Sequence, residues 1–328
     1  MKKTHNWGII GLGGIAHKFA SDLRDVESAQ LYAVASRSIK KAQNFASEFV
    51  VEKAYGAYET LAKDPKVDII YIATPHVFHY ENTMMCLEHG KAVLCEKPMA
   101  INARQLKTMI RTSKEKSLFL MEGLWTNFMP HLQKVNQLNQ HKTYGKCLKV
   151  EADFSFEAEF DTEKRLFNKG LGGGALLDIG IYPVYLALKL LGPPQEIEAS
   201  CEFSSTGVDI SNQINFKYAS VATAKLSSSF AKNTPCKAKV YFENATVELG
   251  PSFHQTDQLK IETNSGVDHI DFHYPTHGYQ FEIEHVQDCL ERKLTQSPDW
   301  SLQSSLVLTE TLDKIREQFG LVYSEDLK

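Results

Sequence analysis

Lys97 follows the short apolar run Ala92-Val93-Leu94-Cys95 and stands between a glutamate and a proline, as Glu96-Lys97-Pro98. An apolar run of this kind reads as a parallel-sheet strand covered on both faces. Open sheets of that type bind ligands just outside the carboxyl ends of their strands. A lysine at that end is a candidate proton carrier, because partial burial and a nearby cation loosen an amine's hold on its proton. The plainer alternative is a solvated lysine at a strand end. Downstream, Asp178 and Tyr182 stand at i and i+4, so on a helix they share one face. An acid near a helix N-terminus also satisfies the helix dipole, and a tyrosine there also fits a core boundary. Pro183, the next residue, is awkward inside a helix and is expected to kink it.

These groups need a frame, and the N-terminal half supplies its pattern. Gly11-Leu12-Gly13-Gly14-Ile15-Ala16 follows the mostly apolar run 7–10 and opens an amphipathic stretch, 15–23. In this G-x-G-x-x-A order the first glycine permits a tight turn and the second lets backbone approach a pyrophosphate. The small last residue lets helix pack on strand. The helix N-terminus then faces the phosphates. The next strand, 31–35, ends in Ser36-Arg37-Ser38, with Lys40 and Lys41 beyond it. NAD sites usually carry an acid there for the ribose 2′-hydroxyl. An arginine flanked by hydroxyls suits a 2′-phosphate instead, so NADP is expected rather than NAD. The strand 67–73 runs into Thr74-Pro75-His76-Val77-Phe78-His79. His76 and His79 have metal-like spacing but no third ligand in sight. They are expected to line a nicotinamide pocket and to cap the next helix, with no metal.

Strands and helices alternate to residue 121, which is the doubly wound pattern. The alternation then stops. Strand-like runs at 149–157, 197–204, 210–218, 221–230, 238–242 and 258–263 follow, interleaved with helices at 131–140, 175–191, 280–292 and 302–319. The expected fold class is α/β: a Rossmann domain over 1–125, then an α+β domain over 126–328 with a large, mostly antiparallel open sheet. The last helix can pack back on the first domain.

Composition narrows the partners. The 328 residues are 43% hydrophobic and 23% charged, with a formal net charge of −4. That is ordinary for a globular protein and argues against a nucleic-acid partner. The cysteines, Cys86, Cys95, Cys147, Cys201, Cys236 and Cys289, include no C-x-x-C pair. They read as thiols in a reducing compartment, hence the cytoplasm. Lys2 and Lys3 precede an apolar stretch broken by Gly8, Gly11, Gly13 and Gly14, which is a poor secretory leader. No apolar run approaches the roughly 20 residues a membrane span needs, so no membrane is expected.

Together, the glycine turn, Thr74-Pro75-His76 with His79, Glu96-Lys97-Pro98 and Gly172-Gly173-Gly174-Ala175-Leu176-Leu177-Asp178-Ile179-Gly180 resemble the glucose–fructose oxidoreductase/inositol dehydrogenase (Gfo/Idh/MocA) family. Within it, Leu118-Phe119-Leu120-Met121-Glu122 with Trp125-Thr126, and Tyr182 after Asp178, are most similar to the NADP-dependent dimeric dihydrodiol dehydrogenase and D-xylose dehydrogenase branch. The resemblance implies an NADP-dependent oxidoreductase acting on the CH–OH group of a sugar, polyol or cyclic trans-diol. Lys97 and Tyr182 would handle the proton, in an order left open, and Asp178 would orient the substrate. It implies cofactor contacts from Gly11, Leu12, Gly13, Gly14, Ile15, Ser36, Arg37, Thr74, Pro75, His76, His79, Glu96 and Lys97. Trp125, Phe154 and Tyr279 would supply apolar walls. A homodimer or larger homo-oligomer through the C-terminal sheet is expected. A non-catalytic NADP- or sugar-sensing protein, and a reductase of another carbonyl class, are the competing readings.

Overall fold

The apolar runs of the first half become strands whose two faces are both covered. In the computed structural model, which describes residues 4–274 and 276–328, β1 (His5–Ile10), β2 (Ala29–Ala35), β3 (Lys53–Tyr55), β4 (Ile69–Ile72), β5 (Ala92–Glu96) and β6 (Leu120–Gly123) form one sheet. Lys2 and Lys3, considered above as part of a leader, lie outside the described residues. The strand order is β3-β2-β1-β4-β5-β6, and every pair is parallel. The connecting helices are α1 (Gly14–Leu23), α2 (Ile39–Phe49), α3 (Tyr58–Ala62), α4 (His79–Glu88) and α5 (Ala103–Glu115). All side chains of β4 and β5 are buried, which is why these strands read as unbroken apolar runs. The strand order reverses between β1 and β4, and at such a switch point the carboxyl ends diverge and leave a crevice.

Contacts divide the chain into two units: residues 4–128 with 276–306, and Met129–Tyr274 with Val307–Lys328. The division read from sequence, at 125/126, left the stretch 276–306 in the second domain. Hydrogen bonds return it to the first. Asp22 on α1 accepts the Tyr279 N–H at 2.8 Å and the His277 N–H at 3.2 Å, so it caps α8 (Tyr279–Glu291). Leu120 N–H donates to the Thr295 carbonyl at 3.1 Å. Leu302, at the start of α9 (Leu302–Phe319), joins the buried cluster of this unit.

In the second unit, after α6 (Pro130–Gln140), β7 (Cys147–Ser155), β8 (Glu196–Phe203), β9 (Asp209–Lys217), β10 (Thr223–Ser229), β11 (Ala238–Phe242), β12 (Ala245–Leu249), β13 (Gln258–Thr263) and β14 (Gly266–Asp271) form the second sheet. Its order is β14-β13-β12-β11-β7-β10-β9-β8. Only the β7–β10 pair is parallel among the described residues. The expected helix 175–191 splits into a π-helical stretch, Leu176–Gly180, and α7 (Ile181–Leu191), which packs on β7 and β10. Pro183 has no N–H, and its ring would press on the Ile179 carbonyl of a continuous α-helix. A wider turn just before it relieves that clash.

One expectation about membranes needs correction. Lys169–Leu191 is long and apolar enough to cross a membrane, with a mean hydropathy of 1.5 in its best window. Asp178 and the glycines break up the apolar character of this stretch along the sequence. Some 89% of that window is buried inside the protein, as in a core helix.

The chain's end pins the loop ahead of this helix. Tyr323 donates its hydroxyl to the Gly173 carbonyl at 2.6 Å. Arg316, almost fully buried, donates to Asp326 and Asp313, each at 2.7 Å. Beneath the loop, the buried Asp209 accepts the Leu176 N–H at 2.7 Å and the Asn212 amide at 3.1 Å. Burial pushes its carboxyl up to about 6 from 3.8. The folded chain therefore holds this proton more tightly than the unfolded chain. The resulting stabilisation is complete below the unfolded value and is lost as pH rises through about 6. Asp209→Asn, which keeps an acceptor and removes the charge, should gain on wild type in thermal midpoint between pH 5 and pH 7.5. An identical difference at both pH values would show that Asp209 does not titrate this way.

Candidate active site

The glycine turn is built by exclusion. Gly11 has φ +89°, and a Cβ placed on it would lie 2.7 Å from the Ala73 carbonyl and the Thr74 nitrogen. β1 and the loop after β4 can approach this closely only with glycine there. Gly13 and Gly14 differ: a Cβ on either would meet nothing within 4 Å. The backbone is therefore open at the N-terminus of α1, where N–H groups and the helix dipole favour an anion. Leu12 is buried and Ile15 half-buried on either side. These features fit a dinucleotide pyrophosphate.

At the end of β2, Ser36 is buried and Arg37 exposed. The Arg37 guanidinium lies 5.7 Å over the ring of Phe78 and hydrogen-bonds Tyr58. Two elements thus hold its plane. The flanking hydroxyls are engaged locally: Ser36 Oγ accepts the Ser38 N–H at 3.3 Å, and Ser38 Oγ caps α2 through the Lys41 N–H at 3.4 Å.

His79 stands apart from the pocket role expected of it. It is fully buried, and each ring nitrogen lies 2.7 Å from a main-chain carbonyl oxygen, Nδ1 from Pro98 and Nε2 from Thr74. Carbonyl oxygens only accept, so both contacts are hydrogen bonds together only in the imidazolium form. The ring ties the loop after β4 to the turn after β5, a bracing role instead of a lining one. Thr74 also accepts from Asn82 at 3.2 Å. Pro75 starts a short 3₁₀ turn, His76–Phe78, and the His76 ring lies 5.7 Å from that of His79.

Lys97 begins where β5 ends. It is the first residue after the strand that is not fully buried, and its peptide bond to Pro98 is cis. Its N–H donates to Glu96 Oε2 at 3.2 Å, and the Tyr71 hydroxyl donates to Glu96 Oε1. Burial first, then the Glu96 charge, holds Tyr71 far above its ordinary value, so it stays a donor. Phe19 stacks on Tyr71 at 3.6 Å and lies edge-on to Tyr279, which stacks on Trp125 at 5.0 Å. Trp125 and Tyr279 are thus brought together within the first unit.

Asp178, Tyr182 and Phe154 belong to the second unit. Asp178 sits in the π-helical stretch and accepts Arg165 Nη1–H at 2.7 Å. Gly173 sets this pairing, since a Cβ there would lie 2.5 Å from the Arg165 carbonyl and 2.7 Å from that of Leu166. The glycine loop therefore lies flat against the turn that carries the arginine. Tyr182, buried, has the rings of Phe154 at 5.4 Å and His254 at 5.5 Å, and these two stack at 4.2 Å. His131 Nε2–H donates to the Phe253 carbonyl at 2.8 Å and steadies this corner. Burial lowers His131 to about 4, so its ring is neutral at physiological pH. Phe156, which shares a strand face with Phe154, packs instead on Phe230.

Arg165 and His254 escaped the sequence reading. Arg165 lies in a charged stretch that looks like solvated loop, and His254 is an isolated histidine. Only the glycine run hinted that something had to pack closely against it. The Arg165–Asp178 pair should be energetically coupled. In a double-mutant cycle of Arg165→Met and Asp178→Asn, read by urea unfolding, the double variant should cost less than the sum of the singles by about 1 kcal/mol. Additive costs would rule the coupling out.

Comparison with known proteins agrees with this geometry. Residues 5–124 match the oxidoreductase family model with an NAD-binding Rossmann fold, GFO/IDH/MocA, and 132–248 match the GFO/IDH/MocA C-terminal domain. The trans-1,2-dihydrobenzene-1,2-diol dehydrogenase of Xenopus tropicalis is 34% identical over 97% of this chain and 98% of its own length. The human protein of that name is 32% identical, covering 98% of each. Among solved structures, KijD10, a 3-ketoreductase from Actinomadura kijaniata in complex with NADP and TDP-benzene, has a TM-score of 0.87 at 22% identity, over 97% of this chain and 98% of that one. An aldose–aldose oxidoreductase from Caulobacter crescentus has a TM-score of 0.88 at 22% identity, over 96% and 97%; at these identities the structures speak for the fold. The chain belongs to the Gfo/Idh/MocA family of NAD(P)-binding oxidoreductases.

Proposed function

We propose that this protein is an NADP-dependent dehydrogenase of cyclic trans-diols or sugars, with Lys97 and Tyr182 handling the proton and Asp178 orienting the substrate. The carrying observation is the Lys97 turn. It places an amine at the carboxyl end of a parallel strand, in the same unit as the open glycine turn, with its main chain held by Glu96 and His79. When bound, NADP⁺ supplies the hydride acceptor. The chain's own part is to take the proton from the substrate hydroxyl as the carbon is oxidised. Lysine and tyrosine suit that task once their surroundings bring them toward neutrality. Arg165 keeps the Asp178 carboxylate facing one way, so that it can accept a hydrogen bond from a substrate hydroxyl. The full-length similarity to the dihydrodiol dehydrogenases supports a diol, and the rings of Phe154, Tyr182 and His254 suit a flat, cyclic one.

For the cofactor, the support is Arg37. It is the exposed residue at the end of β2, no carboxylate stands beside it in 36–38, and its guanidinium is held over Phe78. A held guanidinium matches a 2′-phosphate.

Lys97→Met should lower turnover on the best substrate of a diol, inositol and aldose panel by about a hundredfold or more, with NADPH still bound. Near-normal turnover would remove Lys97 from the mechanism, and no turnover by wild type on any panel member would favour a sensing role. Arg37→Ala should weaken NADPH binding far more than NADH binding in a fluorescence titration. Equal wild-type affinity for the two cofactors would leave the 2′-phosphate reading without support.

A further inference from the structure

Glu122 plays no part in the reaction described so far, yet it stands directly behind the lysine's turn. It is 1% exposed and lies on β6, paired with Cys95 of β5. Its two oxygens are engaged separately. Oε1 accepts the Met99 N–H at 3.0 Å, and Oε2 accepts Trp300 Nε1–H at 3.1 Å. The Ser305 side chain also hydrogen-bonds this carboxyl group, and N–H donors on both oxygens suit a carboxylate. Met99 is two residues after Lys97, so the first bond fixes the far side of the turn that carries the amine. Trp300 comes from the returning segment of the same unit, so the carboxylate is itself held in place.

A buried carboxylate needs a compensating charge. Desolvation pushes Glu122 above the usual carboxylate range; hydrogen bonds from Ser305, Trp300 and Met99, and then the Lys97 ammonium, pull it back down. Coupling of this kind is mutual: a carboxylate that is easier to ionise beside an ammonium also makes that ammonium harder to deprotonate. Other ionisable groups face the turn. Glu96 adjoins Lys97 and takes the Tyr71 hydroxyl. His79 lies against the Pro98 carbonyl. Glu282 on α8 is pushed well above the carboxylate range by burial, then by Glu96 and Asp22. Glu122 differs from these in joining the turn's main chain to a neighbouring strand through its side chain.

We propose that Glu122 is a positioning residue for Lys97: its carboxylate fixes the 97–99 turn through the Met99 N–H and sets the charge balance of the lysine's amine. This rests on the assignment of proton handling to Lys97. The test reads the amine directly. The holoenzyme is reductively methylated with ¹³C, and the Lys97 resonance, identified by its absence from Lys97→Met, is followed against pH by NMR. In Glu122→Gln it should titrate at lower pH, by about one unit, and turnover should fall while NADPH affinity stays unchanged. Trp300→Phe removes a donor that favours the ionised form of Glu122, so the resonance should also move to lower pH, but by less. A shift of the same sign in both variants, larger in Glu122→Gln, is a signature that a merely structural role would not produce. The same titration midpoint in wild type and both variants overturns the proposal. If Glu122→Gln does not fold, Trp300→Phe decides alone, and an unmoved midpoint there overturns it. The catalytic reading of Lys97 fails by a separate outcome, wild-type turnover in Lys97→Met, whatever the titrations show.

Discussion

All of β5 is buried, and the first side chain beyond it that reaches water is that of Lys97. An ammonium cannot follow the strand into the core without a paired charge, so the strand stops there and the chain turns. The turn is then held through its main chain. Glu96 takes one N–H, Glu122 takes another, and the His79 ring meets the Pro98 carbonyl. The carboxylates and the imidazole thus position the backbone around the amine. A site built on a buried strand end with such support is more sharply placed than one on a free loop.

The second unit meets a similar demand by different means. Its glycine loop has no side chains to anchor it, so neighbours do the anchoring. The Tyr323 hydroxyl holds the Gly173 carbonyl, Asp209 holds the Leu176 N–H, and the turn carrying Arg165 lies against Gly173. Burying Asp209 costs stability at neutral pH, as its raised pKa records. What that strain supports is the start of the π-helical stretch, and with it Asp178 and Tyr182. Functional segments commonly carry strain that the surrounding structure sustains, and π-turns are often found in them.

The sequence was most legible where a residue's neighbours in space are its neighbours along the chain. The parallel strands showed as apolar runs, the glycine turn as a motif, and Asp178 with Tyr182 as a helical spacing. Some strands of the second sheet were not visible. β14, Gly266–Asp271, is exposed along nearly its whole length and so has no hydrophobic alternation to find. β12, Ala245–Leu249, does alternate, but it is short and begins at once after β11. Of the site, the motif residues were readable, but their partners were not. Arg165 and His254 sit in stretches with no periodic or compositional signal, and His79 was assigned to a pocket when its ring is fully taken up by main-chain carbonyls.

The return of residues 276–306 to the first unit shows why such partners escape. No local rule connects Asp22 with Tyr279, or Glu122 with Trp300; these pairs are separated by 257 and 178 residues. Yet each makes sense once its environment is known. Asp22 sits on a helix face that is otherwise apolar, where an isolated carboxylate would be expensive, and the open N–H groups at the start of α8 satisfy it. Glu122 lies at the end of a buried strand and meets an indole N–H and a turn N–H. A buried acid in an apolar stretch is therefore a sign that some distant segment must bring donors to it. In this chain the segment that brings them is also the one that contributes Tyr279 to the aromatic stack with Trp125. The same hydrogen bonds that satisfy two buried acids thus decide which aromatic residues stand together in the cofactor-binding unit.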